Sequence, residues 1–129
     1  VITQPKSDIS SLDVDLDGTV AVVTGGASGI GAAIAELFTR FGARVVIVDR
    51  DAEAGAAAAA TLTGATAYGC DVTSSAAVRD CVEQIWTDVG PVDVLVNSAG
   101  VAQLAPAESL TDAQWDTTLA VNLTGTYFM

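Results

Sequence analysis

Four short runs of small and branched apolar residues punctuate a chain that is otherwise patterned for helices. They are "VAVVT" (20–24), "RVVIVD" (44–49), "ATAYGCD" (65–71) and "VDVLVN" (92–97). The first, second and fourth barely alternate between apolar and polar positions, as expected of parallel strands covered on both faces. The third is weaker. Between the runs, Ile30, Ile34, Leu37, Phe38 and Phe41 recur at the spacing of one helix face, and Val78, Val82, Ile85, Trp86 and Val89 repeat it. "AEAGAAAAATL" predicts a helix whose small side chains let it pack closely, and Gly42 and Gly90 stand where helix ends are expected.

A fourth helix is predicted from Thr111, where "TDAQ" is a capping box with Thr111 as the cap and Gln114 reaching back. Trp115, Leu119 and Leu123 continue its apolar face, so the helix is expected to run to Met129, with Asn122 on the buried stripe and Tyr127 in the core. Residues 1–13 are polar and aperiodic, which predicts a flexible tail ahead of one domain over 14–129. Strands alternating with helices imply right-handed crossovers and an α/β layered fold.

Composition narrows the chemistry. Sixteen acids against five bases give a net charge of -11, so nothing here would neutralise a row of nucleic-acid phosphates. Histidine is absent, which removes His-based triads and the commonest metal ligand, and no metal site is expected. Cys70 and Cys81 have no CxxC spacing and read as small buried hydrophobes of a reduced protein. No stretch reaches the roughly 18 apolar residues of a membrane span, and the N-terminal residues lack a signal-peptide pattern, so a cytoplasmic location is expected.

The first strand runs into "TGGASGIG", Thr24 to Gly31, and a helix follows at once. Glycines let the backbone approach a ligand, and the free amides of a helix start bind a pyrophosphate without basic side chains. A plain strand–helix turn also uses glycine, so the cluster gains weight only from its context. The second strand ends at Asp49, 18 positions after Gly31, where an acid would bind the ribose hydroxyls of NAD and repel the 2'-phosphate of NADP. Arg50 beside it keeps NADP possible. A solvated strand end or a helix cap would also place an acid there.

These residues resemble the classical short-chain dehydrogenase/reductase family over roughly 16–129. "TGGASGIG" matches the family's TGxxxGxG, Asp49 closes the second strand, "CDV" follows the third, and "NSAG" (97–100) is a variant of NNAG with Ser98 at its second position. The resemblance implies a Rossmann-type doubly wound parallel sheet, with strand order 3-2-1-4 in this part. It assigns cofactor contacts to Gly25, Ser28, Gly29, Ile30, Gly31, Asp49 and Arg50. Asp71 and the Val72 amide would hold the adenine, Asn97 would brace the sheet, and Ala99 and Gly100 would lie along the cofactor. Asn122, in "VNLTG", matches the family's catalytic helix Asn, a supporting residue that disturbs the helix and positions a water. An Asn that merely ties a neighbouring loop would look the same.

The family's Ser and YxxxK pair has no counterpart in these residues. The one lysine is Lys6, Tyr68 is followed four residues later by Val72, and Tyr127 has two residues after it. The chain is therefore expected to be the cofactor-binding half of an NAD(P)-dependent oxidoreductase, inactive alone. In the whole protein, hydride would pass between nicotinamide and a secondary alcohol or ketone, with polyols or sugar alcohols suggested by the stretch after "NSAG". The partners expected are a small alcohol or ketone and copies of itself, tetrameric in the family, or the missing half. Strand four would form an exposed edge. A nucleotide-binding fragment without turnover and an assembly module awaiting a complementary chain are the competing readings. The TGxxxGxG spacing with "NSAG" argues against an S-adenosylmethionine methyltransferase.

Overall fold

The computed structural model describes residues 14–129, so the expected tail, with Lys6, lies outside the described residues. The strands are β1 (Val20–Thr24), β2 (Arg44–Asp49), β3 (Thr66–Gly69) and β4 (Val94–Asn97). They form one parallel sheet in the order β3-β2-β1-β4, as the sequence predicts. The helices are α1 (Gly29–Arg40), α2 (Ala52–Ala60), α3 (Ser75–Asp88), α4 (Asp112–Leu119) and α5 (Gly125–Phe128).

Alternate residues of the central strands feed two apolar layers. Ala21, Val23, Val45 and Ile47 meet Ala35, Phe38 and Ala59 on the side of α1 and α2. Val20, Val22, Val46 and Val48 meet Val78, Cys81 and Ile85 of α3 on the other, with Phe128 and Met129 against them. Val45 to Val48 are all fully buried, which explains why that run does not alternate. α2 starts on Asp51, whose carboxylate accepts the Ala54 N–H at 2.9 Å. Gly42 and Gly90 follow α1 and α3 at φ 94° and 120°, conformations that favour glycine.

Several helical faces differ from expectation. In α3 the core side is Val78, Cys81 and Ile85, at i, i+3 and i+7, while Val82 and Trp86, turned further round the helix, are exposed. Ile30 lies at the mouth of a crevice rather than on the core face of α1. The capping box of α4 forms, with Thr111 N–H donating to Gln114 Oε1 at 2.9 Å and Gln114 N–H to Thr111 Oγ1 at 3.3 Å. The helix then does not continue regularly: a π-helical segment, Ala120–Thr124, separates α4 from α5, which ends at Phe128. Tyr127 is 83% exposed and not core, and Asn122, Trp115, Leu119 and Leu123 are exposed too. Among the described residues no element covers that stripe, which is why an amphipathic pattern here does not become a buried one.

Candidate functional site

The carboxyl ends of β1, β2, β3 and β4 open into a crevice of ≈ 360 Å³. β1 lies between strands that leave it in opposite directions along the sheet, a place where open α/β sheets bind ligands. Gly25, Ser28, Gly29, Ile30, Asp49, Arg50, Asp71, Val72, Ser98, Ala99 and Gly100 line it, together with Val48, Cys70, Val101 and Val121.

Gly25 and Gly29 have φ of 63° and 55°, and a Cβ on Gly25 would stand 2.8 Å from Ala99 Cα. A Cβ on Gly29 would project into open space. Gly31 is buried beneath the loop, where a Cβ would collide with the Gly25 carbonyl group. The first bond of α1 runs from Ala32 N–H to Ser28 O at 3.1 Å, so the amides of Gly29, Ile30 and Gly31 precede the helical ladder. They form the positive end of a twelve-residue helix beside the crevice.

Asp49 is held from two sides. One carboxylate oxygen accepts the Ala27 N–H of the glycine loop and the other the Asp51 N–H, both at 3.1 Å. Asp71 accepts the Thr73 hydroxyl at 2.7 Å and the Thr73 amide at 2.9 Å. Those two bonds, helped by the Arg50 guanidinium, hold its carboxyl below the usual range. The thiol of Cys70, on the crevice lining, is pushed up by burial, as is that of Cys81 beneath it, to about 12; neither is a ready nucleophile.

The "NSAG" segment is fastened by a residue that the motif alone does not single out. Thr24 is 1% exposed, and its hydroxyl accepts the amides of Ser98 and Ala99, each at 3.1 Å, while facing Val96 O at 3.4 Å. Asn97, expected to brace the sheet, ends β4 opposite Thr24, is exposed, and makes no side-chain hydrogen bond among the described residues. The junction is held by Thr24 instead. Asn122 grips the next loop with both ends of its amide. Its Oδ1 accepts the Val101 N–H at 2.8 Å and its Nδ2 donates to Val101 O at 2.9 Å. Thus Asn122 does tie a loop, from within the disturbed stretch of helix.

The residues from β1 to the end of the chain match the family model described as short chain dehydrogenase, over 19–129. The chain belongs to the short-chain dehydrogenase family. It is 48% identical over 132 residues to a D-threitol dehydrogenase of Mycolicibacterium smegmatis, covering 99% of this chain and 51% of that protein. A sorbitol dehydrogenase of Cereibacter sphaeroides is 44% identical over 115 residues, 88% of this chain and 45% of its own. Among solved structures, a 3-ketoacyl-(acyl-carrier-protein) reductase from Brucella melitensis, complexed with NADH, superposes with a TM-score of 0.85 at 38% identity. That superposition covers 89% of this chain and 48% of the reductase. The chain thus spans about half the length of the relatives it matches.

No group of three or more His, Cys, Asp or Glu able to hold a metal ion exists among the described residues. No described helix is long and apolar enough to cross a membrane.

Proposed function

We propose that this short-chain dehydrogenase chain binds NAD in the crevice and forms the cofactor half of an oxidoreductase acting on secondary alcohols, with polyols as the substrate class. The carrying observation is the convergence on one crevice of two turns and a carboxylate: the open glycine loop, the Asp71–Val72 turn and Asp49. The free amides ahead of Ala32 fit a pyrophosphate, and the open space at Gly29 is where a side chain would obstruct it. Asp49 fits the two hydroxyls of an adenosine ribose, and its charge disfavours a 2'-phosphate, while Arg50 offsets part of that repulsion. Asp71 and the Val72 amide fit the adenine edge, and Ala99 and Gly100 fit the path towards the nicotinamide. Bound NAD supplies the hydride acceptor. Asn122 holds the Val101 loop and, in the whole protein, supports proton movement from its place in the π-helical segment.

The polyol class is supported by the threitol and sorbitol dehydrogenases among the relatives. A cytoplasmic location and self-association belong to the same proposal, the latter supported by the apolar stripe of α4 and α5 and by exposed Leu95 on β4. Binding without turnover is the second reading for these 129 residues, favoured by their single lysine, far from either tyrosine in sequence. Calorimetric titration with NAD and NADP, followed by addition of threitol or sorbitol while nicotinamide reduction is watched, tests both. NAD should bind at least about tenfold more tightly than NADP, a difference of roughly 1.4 kcal/mol. Equal binding would remove the role given to Asp49. Binding of neither nucleotide would remove the proposed function. Reduction of NAD by the 129 residues alone would refute the second reading.

A further inference from the structure

Gly125 occupies a position where glycine is unnecessary for the backbone. Its φ and ψ are -60° and -41°, ordinary helical values, and it is buried. Alanine there would favour the helix by roughly 1 kcal/mol, the figure for an exposed helix interior converting to about fivefold in an equilibrium constant. What glycine provides is room. A Cβ on Gly125 would stand 2.7 Å from Val72 Cγ2, 3.2 Å from Val72 Cβ and 3.4 Å from the Val72 carbonyl oxygen.

Val72 cannot yield easily. It is buried, branched at Cβ and therefore stiff about χ1, and it lies in the short turn between β3 and α3. The same turn carries Asp71, and both residues line the crevice. The Val72 amide donates to no group among the described residues, so it is available to a ligand. The π-helical segment widens the helix just before Gly125, and within it Val121 lines the crevice and Asn122 grips Val101. One stretch of helix therefore touches both walls of the site.

We infer that Gly125 is a positioning residue for the nucleotide: its bare backbone seats Val72 and so sets the place of the Val72 amide and the Asp71 carboxylate at the adenine end. This rests on the proposed nucleotide site, and the test separates the two. ADP-ribose affinity is measured by calorimetry for the polypeptide, Gly125→Ala, Val72→Ala and the double variant. Gly125→Ala should weaken binding about tenfold, because an inserted carbon must displace a well-packed neighbour. In the Val72→Ala background, which removes the Cγ2 atom that the new carbon would meet, the same change should cost less than about twofold. Val72→Ile presses on the contact from the other side and should weaken ADP-ribose in the same direction, which decides the matter even if Gly125→Ala does not fold. A folded Gly125→Ala variant with unchanged affinity, or an equal loss in both backgrounds, overturns the inference while leaving the nucleotide site standing. Failure of the unaltered polypeptide to bind ADP-ribose overturns both.

Discussion

Replacing Thr24 with valine keeps the branched shape and nearly the volume of the side chain and removes one hydroxyl. That hydroxyl accepts two amides, from Ser98 and Ala99, at a site 1% exposed. A buried donor deprived of its acceptor costs about 1–3 kcal/mol. Ser98 and Ala99 are half-buried at the crevice wall, so water can replace part of what is lost. The net expectation is a destabilisation of about 2–3 kcal/mol for Thr24→Val. Thr24→Ser keeps the acceptor and gives up one methyl, which costs about 1 kcal/mol. Urea unfolding of the three proteins measures both values, and amide hydrogen exchange at Ser98 and Ala99 reports whether the segment has come loose. The valine variant should also bind NAD more weakly, because Ser98 and Ala99 lose their anchor to β1 beside Gly100. Should Thr24→Val prove no less stable than Thr24→Ser, with exchange at both amides unchanged, the role assigned to the hydroxyl is wrong.

Asp49→Ser should lower the ratio of NAD to NADP affinity by about tenfold or more, since it removes the charge facing a 2'-phosphate; an unchanged ratio in competition titrations would count against the ribose assignment. Gly31→Ala should cost more than about 1–3 kcal/mol in thermal or urea unfolding, because its Cβ meets fixed backbone rather than a movable side chain. A variant as stable as the original would show that the loop packs differently. The folded pKa of Asp71 is lowered, so its contribution to stability is complete above the ordinary carboxylate range and disappears as pH falls through the lowered value. Carboxyl carbon NMR should find Asp71 titrating low, and Thr73→Val should raise it towards normal; identical curves would contradict the hydrogen-bond explanation. Finally, sedimentation of the 129-residue polypeptide should show self-association through its exposed apolar edge and stripe, and a monomer at high concentration would argue against it.

The strands were legible because Val-rich runs such as Val45 to Val48 have no polar residue to place, and only a doubly covered sheet interior accepts them. The glycine loop was legible for the opposite reason: Gly25 and Gly29 need positive φ, a demand written in residue type. Helix faces were harder. Periodicity marks a stripe but does not say what covers it, so Trp115, Leu119, Leu123 and Tyr127 read as core yet stand exposed. In α3 the buried face is centred on Val78, Cys81 and Ile85, so Cys81 is buried as read, while Val82 and Trp86 share the period yet fall at the edge of that face. Thr24 was visible only as the first letter of TGxxxGxG; the task of its hydroxyl carried no local signal, since a threonine in a strand is ordinary and its partners lie 74 and 75 positions away. A disturbance of the last helix was visible only through the family resemblance at Asn122, because the residue types of 120–124 do not themselves mark a change in helical bonding.

The placement of β1 in the sheet has a consequence for how the chain acquires its shape. β2 can dock on one side of β1 soon after it is made, but the other side waits for β4, from Ala21 against Val94 to Thr24 against Asn97. Asp93 starts that second seam, its carboxylate accepting the Val20 N–H at 2.9 Å and its amide donating to Val20 O at 3.0 Å, across 73 positions. At a synthesis rate of about 5–20 residues per second, the strand at the heart of the domain stays open along one edge for roughly 4–15 s. A nascent chain with an unpaired Val-rich edge can join its neighbour on the same message, so a hazard of wrong pairing arises before β4 is made.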